Sequence, residues 1–153
     1  MSEFETQGVV SVVSTAMTYD RWKITHAFSG QDDASSDPDR DGRSNLIEYI
    51  FGTNPLLAEV SVPSLPEMRV VEVLGVNYLA LRYRRPSEAS QRRSDVTESV
   101  TRSTTLAGTW SANQVVLHSA IDDGNQETLT YRSTVPLGSI SAEFLRFEGE
   151  LSH

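Results

Sequence analysis

Six residues between Asp37 and Glu48 have types and spacing that could do chemistry: Asp37, Asp39, Asp41, Arg43, Asn45 and Glu48. They stand at positions 1, 3, 5, 7, 9 and 12 of the run Asp37-Pro38-Asp39-Arg40-Asp41-Gly42-Arg43-Ser44-Asn45-Leu46-Ile47-Glu48. A twelve-residue calcium loop takes oxygen ligands at those positions, the seventh through a backbone carbonyl, and a glycine at the sixth for the sharp turn. Gly42 stands there, and Arg43 would serve through its carbonyl. Calcium is a hard cation that takes about 6–8 oxygens. Carboxylates converging on one point repel one another unless a cation lies among them. A solvated acidic turn accounts for the acidity, but not for the spacing, the glycine and the distal glutamate together. The expected cofactor is therefore Ca2+.

Two helices would have to position this loop. Thr18 through Phe28 reads as the first, with Thr18 as N-cap, Asp20 in the first turn and Gly30 just past the end. Trp22 supplies a core anchor. Gln31 to Ser36 is a polar connector in which Asp32 or Asp33 could reach the ion. The second helix runs from Asn45 to Phe51, with Ser44 as N-cap, Gly52 for a left-handed cap and Pro55 barring continuation. Leu46, Ile47, Ile50 and Phe51 form its apolar face. So short a helix is marginal alone and must be held by packing or by the ion.

Beyond the prolines Pro63 and Pro66 the period changes from helical to alternating. Arg69 to Leu74 and Tyr78 to Arg84 read as a hairpin turning through Gly75-Val76-Asn77. Leu79, Leu81 and Tyr83 share one face; Tyr78, Ala80, Arg82 and Arg84 share the other. Further strands are expected around Val96 and Val100, from Gln114 to Ser119, from Glu127 to Ser133 and from Glu143 to Glu148, with a strong turn at Asp122-Asp123-Gly124-Asn125. This pattern suggests an antiparallel sandwich. The expected fold is mainly β: an antiparallel β-sandwich with a small N-terminal helix–loop–helix calcium unit. Residues 1–17 form a lead segment whose Val9, Val10, Val12 and Val13 suit a strand. Residues 18–58 form the calcium unit, 59–67 a linker and 68–151 the sandwich.

Composition excludes several functions. A net charge of −8 argues against nucleic acid as the main partner, because phosphate binding needs a basic footprint. The absence of cysteine removes disulfides, thiol catalysis and thiolate metal sites. No run reaches the roughly 18 apolar residues of a membrane helix, so membrane insertion is not expected. No catalytic residue is nominated: His26, His118 and His153 lack any local signature of a base held by a carboxylate beside a nucleophile. The basic cluster Arg82, Arg84, Arg85, Arg92 and Arg93 reads first as a solvated strand face and loop, and second as a patch for an anionic surface. Tyr78, Tyr83, Trp110 and Tyr131 read first as sandwich core and second as a sugar platform.

The stretch Thr18 to Pro55 resembles a known motif. Asp-Pro-Asp-x-Asp-Gly-x-Ser-Asn-Leu-x-Glu-Tyr, ending Gly-Thr-Asn-Pro, is similar to the EF-hand-like calcium motif of dockerins and thrombospondin type 3 repeats. It resembles most the version near the C-terminus of many secreted proteins of Verrucomicrobia-type bacteria, where a Trp-bearing helix precedes the loop and a β-rich region follows. Tyr78 to Arg85, Ser103 to Leu106 with Trp110, and Phe144 to Phe147 resemble recurrent segments of that region. The resemblance implies Asp37, Asp39, Asp41, Asn45 and Glu48 as side-chain ligands and Arg43 as a backbone ligand. It further implies a secreted or cell-surface accessory module without catalysis, a spacer, anchor or adhesion unit at the end of a larger protein. Two departures stand out. Ser44 replaces the apolar residue usual at position 8, and there is no second loop, whereas dockerins usually have two. Arg40 and Arg43 also lie within the loop and should weaken affinity. Carbohydrate binding on the β-domain and dockerin-like docking through the helix pair are the alternative functions, so the expected partners are calcium and either a cell-surface glycan or another protein domain.

Overall fold

The computed structural model describes residues 16–88 and 93–152. The strand expected over Val9–Val13 lies outside the described residues, as do Arg92 and His153. The chain is mainly β, with 42% strand and 11% helix. Helices α1 (Tyr19–His26) and α2 (Asn45–Phe51) precede strands β1 (Glu67–Val73), β2 (Val76–Pro86), β3 (Val96–Ser103), β4 (Val115–Asp122), β5 (Gln126–Pro136) and β6 (Phe144–Leu151). All pairings are antiparallel, forming a four-stranded sheet in the order β1-β2-β5-β4 and a two-stranded sheet β3-β6.

The two sheets face each other across one core. Alternation sends Leu81 and Tyr83 of β2 and Leu129 of β5 inward, where they meet Val100 of β3 and Leu145 of β6. Ile50 and Phe51 of α2 belong to the same cluster and are 0% and 1% exposed. The Phe51 ring lies 5.9 Å from Tyr83 and 5.0 Å from Phe147. Burial of side chains this large contributes about 1.5–3 kcal/mol each. A second cluster joins Met17, Tyr19, Trp22 and Tyr49, with the three aromatic centroids 5.3–5.5 Å apart. Helix α2 thus faces both cores, Tyr49 toward α1 and Ile50 with Phe51 toward the sandwich.

Several local details differ from the sequence reading. α1 ends in a left-handed residue at Ala27 (φ 48°), three residues before the glycine expected to mark its end. The first hairpin turns at Leu74-Gly75, both with positive φ, and pairs Val73 with Val76. This two-residue turn matches strand twist better than the three-residue turn expected through Gly75-Val76-Asn77. Arg85 and Arg93 leave the basic cluster for the interior. Arg85 bridges Glu98 and Glu127 at 2.8 Å between the sheets. Arg93 stacks 4.8 Å from the Tyr49 ring and donates to the Tyr49 carbonyl at 2.6 Å. The segment 59–67 buries Ser64, whose carbonyl accepts from the Arg84 N–H at 3.0 Å.

Candidate metal centre

The loop between the helices turns its acids toward one point. Carboxylate oxygens of Asp37, Asp39 and Asp41 lie within 4.8 Å of one another. Each carboxylate is oriented by an amide of its own loop: Gly42 N–H donates to Asp37 Oδ2 at 3.0 Å, Asp41 N–H to Asp39 Oδ1 at 3.2 Å, and Arg43 N–H to Asp41 Oδ1 at 2.9 Å. Gly42 permits the turn, since its φ of +90° is rarely adopted by residues with a Cβ. The other oxygens of Asp37 and Asp39 are buried and, among the described residues, have no hydrogen-bond partner.

Two residues of α2 carry further buried oxygens. Asn45 is fully buried, and its amide nitrogen donates to the carbonyls of Gln31 at 2.7 Å and Asp33 at 2.9 Å. Both donor hydrogens are thereby used, and Oδ1 remains buried without a partner among the described residues. Glu48 is likewise 0% exposed. Its Oε1 accepts from Thr53 Oγ1 at 3.2 Å, and its Oε2 has no partner among the described residues. A buried polar atom left unsatisfied costs about 1–3 kcal/mol, and more when the group is charged.

Positions 1, 3, 9 and 12 therefore each present one buried, unpartnered oxygen. Glu48 stands outside the 4.8 Å aspartate cluster. The electrostatics agree with crowded negative charge. Burial, reinforced by Asp39 and Asp41, pushes the Glu48 carboxyl up to about 7. Burial also raises Asp39, with Asp41 and Asp37 adding to the effect. This donor set of carboxylates and an amide oxygen, without sulfur or imidazole, suits a hard cation.

Helix α2 starts where it does because the connector supplies its cap. Ser44 makes no side-chain capping bond. Instead the first amides, of Asn45 and Leu46, donate to the carbonyls of Ser36 at 2.8 Å and Ala34 at 2.9 Å. Gly52 closes the other end, and its amide and that of Thr53 both donate to the Glu48 carbonyl. The two helices are tied to the sandwich through Asp95, which accepts from the Tyr19 amide at 2.7 Å and from the Tyr49 hydroxyl.

The remaining candidates fall as follows. Arg43 folds its guanidinium back onto Asp41 Oδ2 and the Glu59 carbonyl, a local cation that offsets part of the loop's charge. Asp32 and Asp33 contribute backbone rather than carboxylate: the Asp32 carbonyl accepts from the Tyr19 hydroxyl, and that of Asp33 holds Asn45. The parts played by Gln31, Asp33 and Glu59 were not legible in the sequence, because they act through main-chain atoms that every residue carries. Of the four aromatic residues read second as a sugar platform, Trp110 carries Arg146 over its ring at 4.2 Å, Tyr78 carries Arg132 at 4.6 Å, Tyr83 is buried in the core and Tyr131 stacks on Tyr83 at 6.2 Å. His26 lies against Trp22, with Nδ1 2.9 Å from the Trp22 carbonyl, and His118 is an exposed strand residue. Comparison with known proteins matches the chain to no family model, no curated relative and no solved structure.

Proposed function

We propose that this chain is a calcium-stabilised, non-catalytic accessory module of an exported bacterial protein, a spacer, anchor or adhesion unit whose ion fastens the helix–loop–helix unit to the β-sandwich. The observation that carries this reading is the set of four buried, unpartnered oxygens on Asp37, Asp39, Asn45 and Glu48. A bound ion would satisfy all of them at once. Asp41 and the Arg43 carbonyl would complete the set. Two of the ligands stand on α2, whose other faces fill both hydrophobic clusters. Ion binding would therefore stabilise the whole fold and not the loop alone. Export is supported by the resemblance of residues 18–55 to motifs of secreted proteins.

Docking through the helix pair has less support. Ile50 and Phe51, which a partner would need to reach, are packed inside the sandwich. Thermal unfolding in millimolar calcium and in excess EDTA tests the proposal. A rise in melting temperature with calcium, and none with magnesium at the same concentration, is expected. Identical curves in calcium and EDTA would refute it.

A further inference from the structure

The outer face of the four-stranded sheet is unlike the rest of this acidic chain. Strand register places Glu67, Arg69 and Val71 of β1, Tyr78, Ala80, Arg82 and Arg84 of β2, Thr128, Thr130 and Arg132 of β5, and Val116, Ser119 and Ile121 of β4 on that side. Arg69, Ala80 and Arg132 follow one another across three strands in one row, and Arg82 lies opposite Glu67 in the next. Among the described residues Glu67 is the only carboxylate on the face, and Asp123 approaches from the β4–β5 turn. Glu67 Oε1 is shared by two guanidinium groups, Arg69 at 2.7 Å and Arg82 at 2.5 Å. Arg84 pairs with Asp123 at 3.0 Å. Arg132 is held over Tyr78 and donates to the Ser133 carbonyl. Four guanidinium groups thus meet two carboxylates, leaving local positive charge on a chain of net −8.

We infer that this face binds an acidic polysaccharide, with Arg69, Arg82, Arg84 and Arg132 pairing with its carboxylate or sulfate groups. The planar guanidinium fork matches both anions bidentately, which suits arginine better than lysine. The side chains of Arg69, Arg82 and Arg84 remain 37–47% exposed, so they can exchange their present partners for a ligand. Ala80, which stands between Arg69 and Arg132 in the row, adds no bulk there. Charge complementarity selects a polyanion, and the face itself argues for a glycan over nucleic acid. Its one aromatic, Tyr78, is already stacked by Arg132 and offers no ring for a base. This inference does not depend on the calcium reading: α2 packs against the other face of the sheet from these arginines.

Binding of chondroitin sulfate to the intact chain in calcium, measured by calorimetry, tests the inference. Neutral dextran, double-stranded DNA and phosphatidylserine vesicles serve as comparisons. Binding to the glycan that weakens with added salt is expected. Two lost charge-assisted hydrogen bonds should weaken it by about tenfold or more in Arg69→Gln/Arg132→Gln. Arg69→Gln/Arg84→Gln, which keeps the Tyr78–Arg132 stack, should show a comparable loss while melting like the parent. Arg146→Gln, which removes one guanidinium on β6 outside this face, should leave affinity within about twofold. The inference is overturned if there is no binding at millimolar glycan, if Arg146→Gln weakens it equally, or if DNA or vesicles bind as tightly as the glycan.

Discussion

Replacement of Glu48 by glutamine should change sign with calcium. Glu48 is fully buried, and without an ion its carboxylate faces Asp39 and Asp41 in a desolvated site. The rise of its pKa from the model-compound 4.5 to about 7 corresponds to a cost of about 3 kcal/mol for holding it ionised. Glutamine has the same shape and carries no charge. In EDTA at pH 8, where the parent carboxylate is ionised, Glu48→Gln should therefore be the more stable protein, by up to about 3 kcal/mol less any imperfect pairing of the new amide. In saturating calcium the order should reverse, because the variant loses the ligand that closes the loop from α2. For a chain of this length 1 kcal/mol moves the melting temperature by about 2–4 °C, so the EDTA difference should reach at most roughly 6–12 °C. Paired calorimetric melts of the two proteins in both buffers read it directly. A variant less stable than the parent in both buffers, or equal to it in both, would refute the reasoning.

Other outcomes follow from the same geometry. In EDTA the Glu48-dependent part of stability, taken as parent minus Glu48→Gln, should fall as pH rises from about 4.5 through 7, because the folded state holds that proton more tightly than the unfolded chain. In calcium the stabilisation by the ion should instead grow over that window; denaturant titrations at several pH values check both signs. Asn45→Ala should cost about 2–4 kcal/mol even in EDTA, since it strands the carbonyls of Gln31 and Asp33, and a urea midpoint unchanged from the parent would contradict this. Gly149→Ala would place a Cβ 2.4 Å from Ile50 Cδ1, so it should cost about 1–3 kcal/mol by overpacking. Ile50→Val should then recover part of that loss, and simple additivity in the double variant would show that the contact is not what limits the site.

What could be read in advance, and what could not, follows from where information sits in a sequence. The convergence of Asp37, Asp39 and Asp41 was legible because the three acids stand at fixed intervals around Gly42. The strands were legible where alternation is strong, as in Leu79 to Tyr83. The cradle of Asn45 was not legible, because the groups holding it are carbonyls of Gln31 and Asp33. Nor was the role of Asp95, which joins β3 to both helices across 76 and 46 residues of sequence. The inward turn of Arg85 depended on finding Glu98 and Glu127 on neighbouring strands, which only register decides. Ala27 took the left-handed cap and Leu74 the hairpin turn because the helix and the strand pair end there, although a glycine stands nearby in each case.

The most direct test of the central claim is calorimetric titration of chelator-treated protein with calcium, alongside Asp37→Asn/Glu48→Gln. The account predicts binding of a single ion per chain, release of protons below about pH 7 as Glu48 ionises to bind it, and loss of both in the variant. A titration without heat up to millimolar calcium, or identical binding by parent and variant, would contradict it.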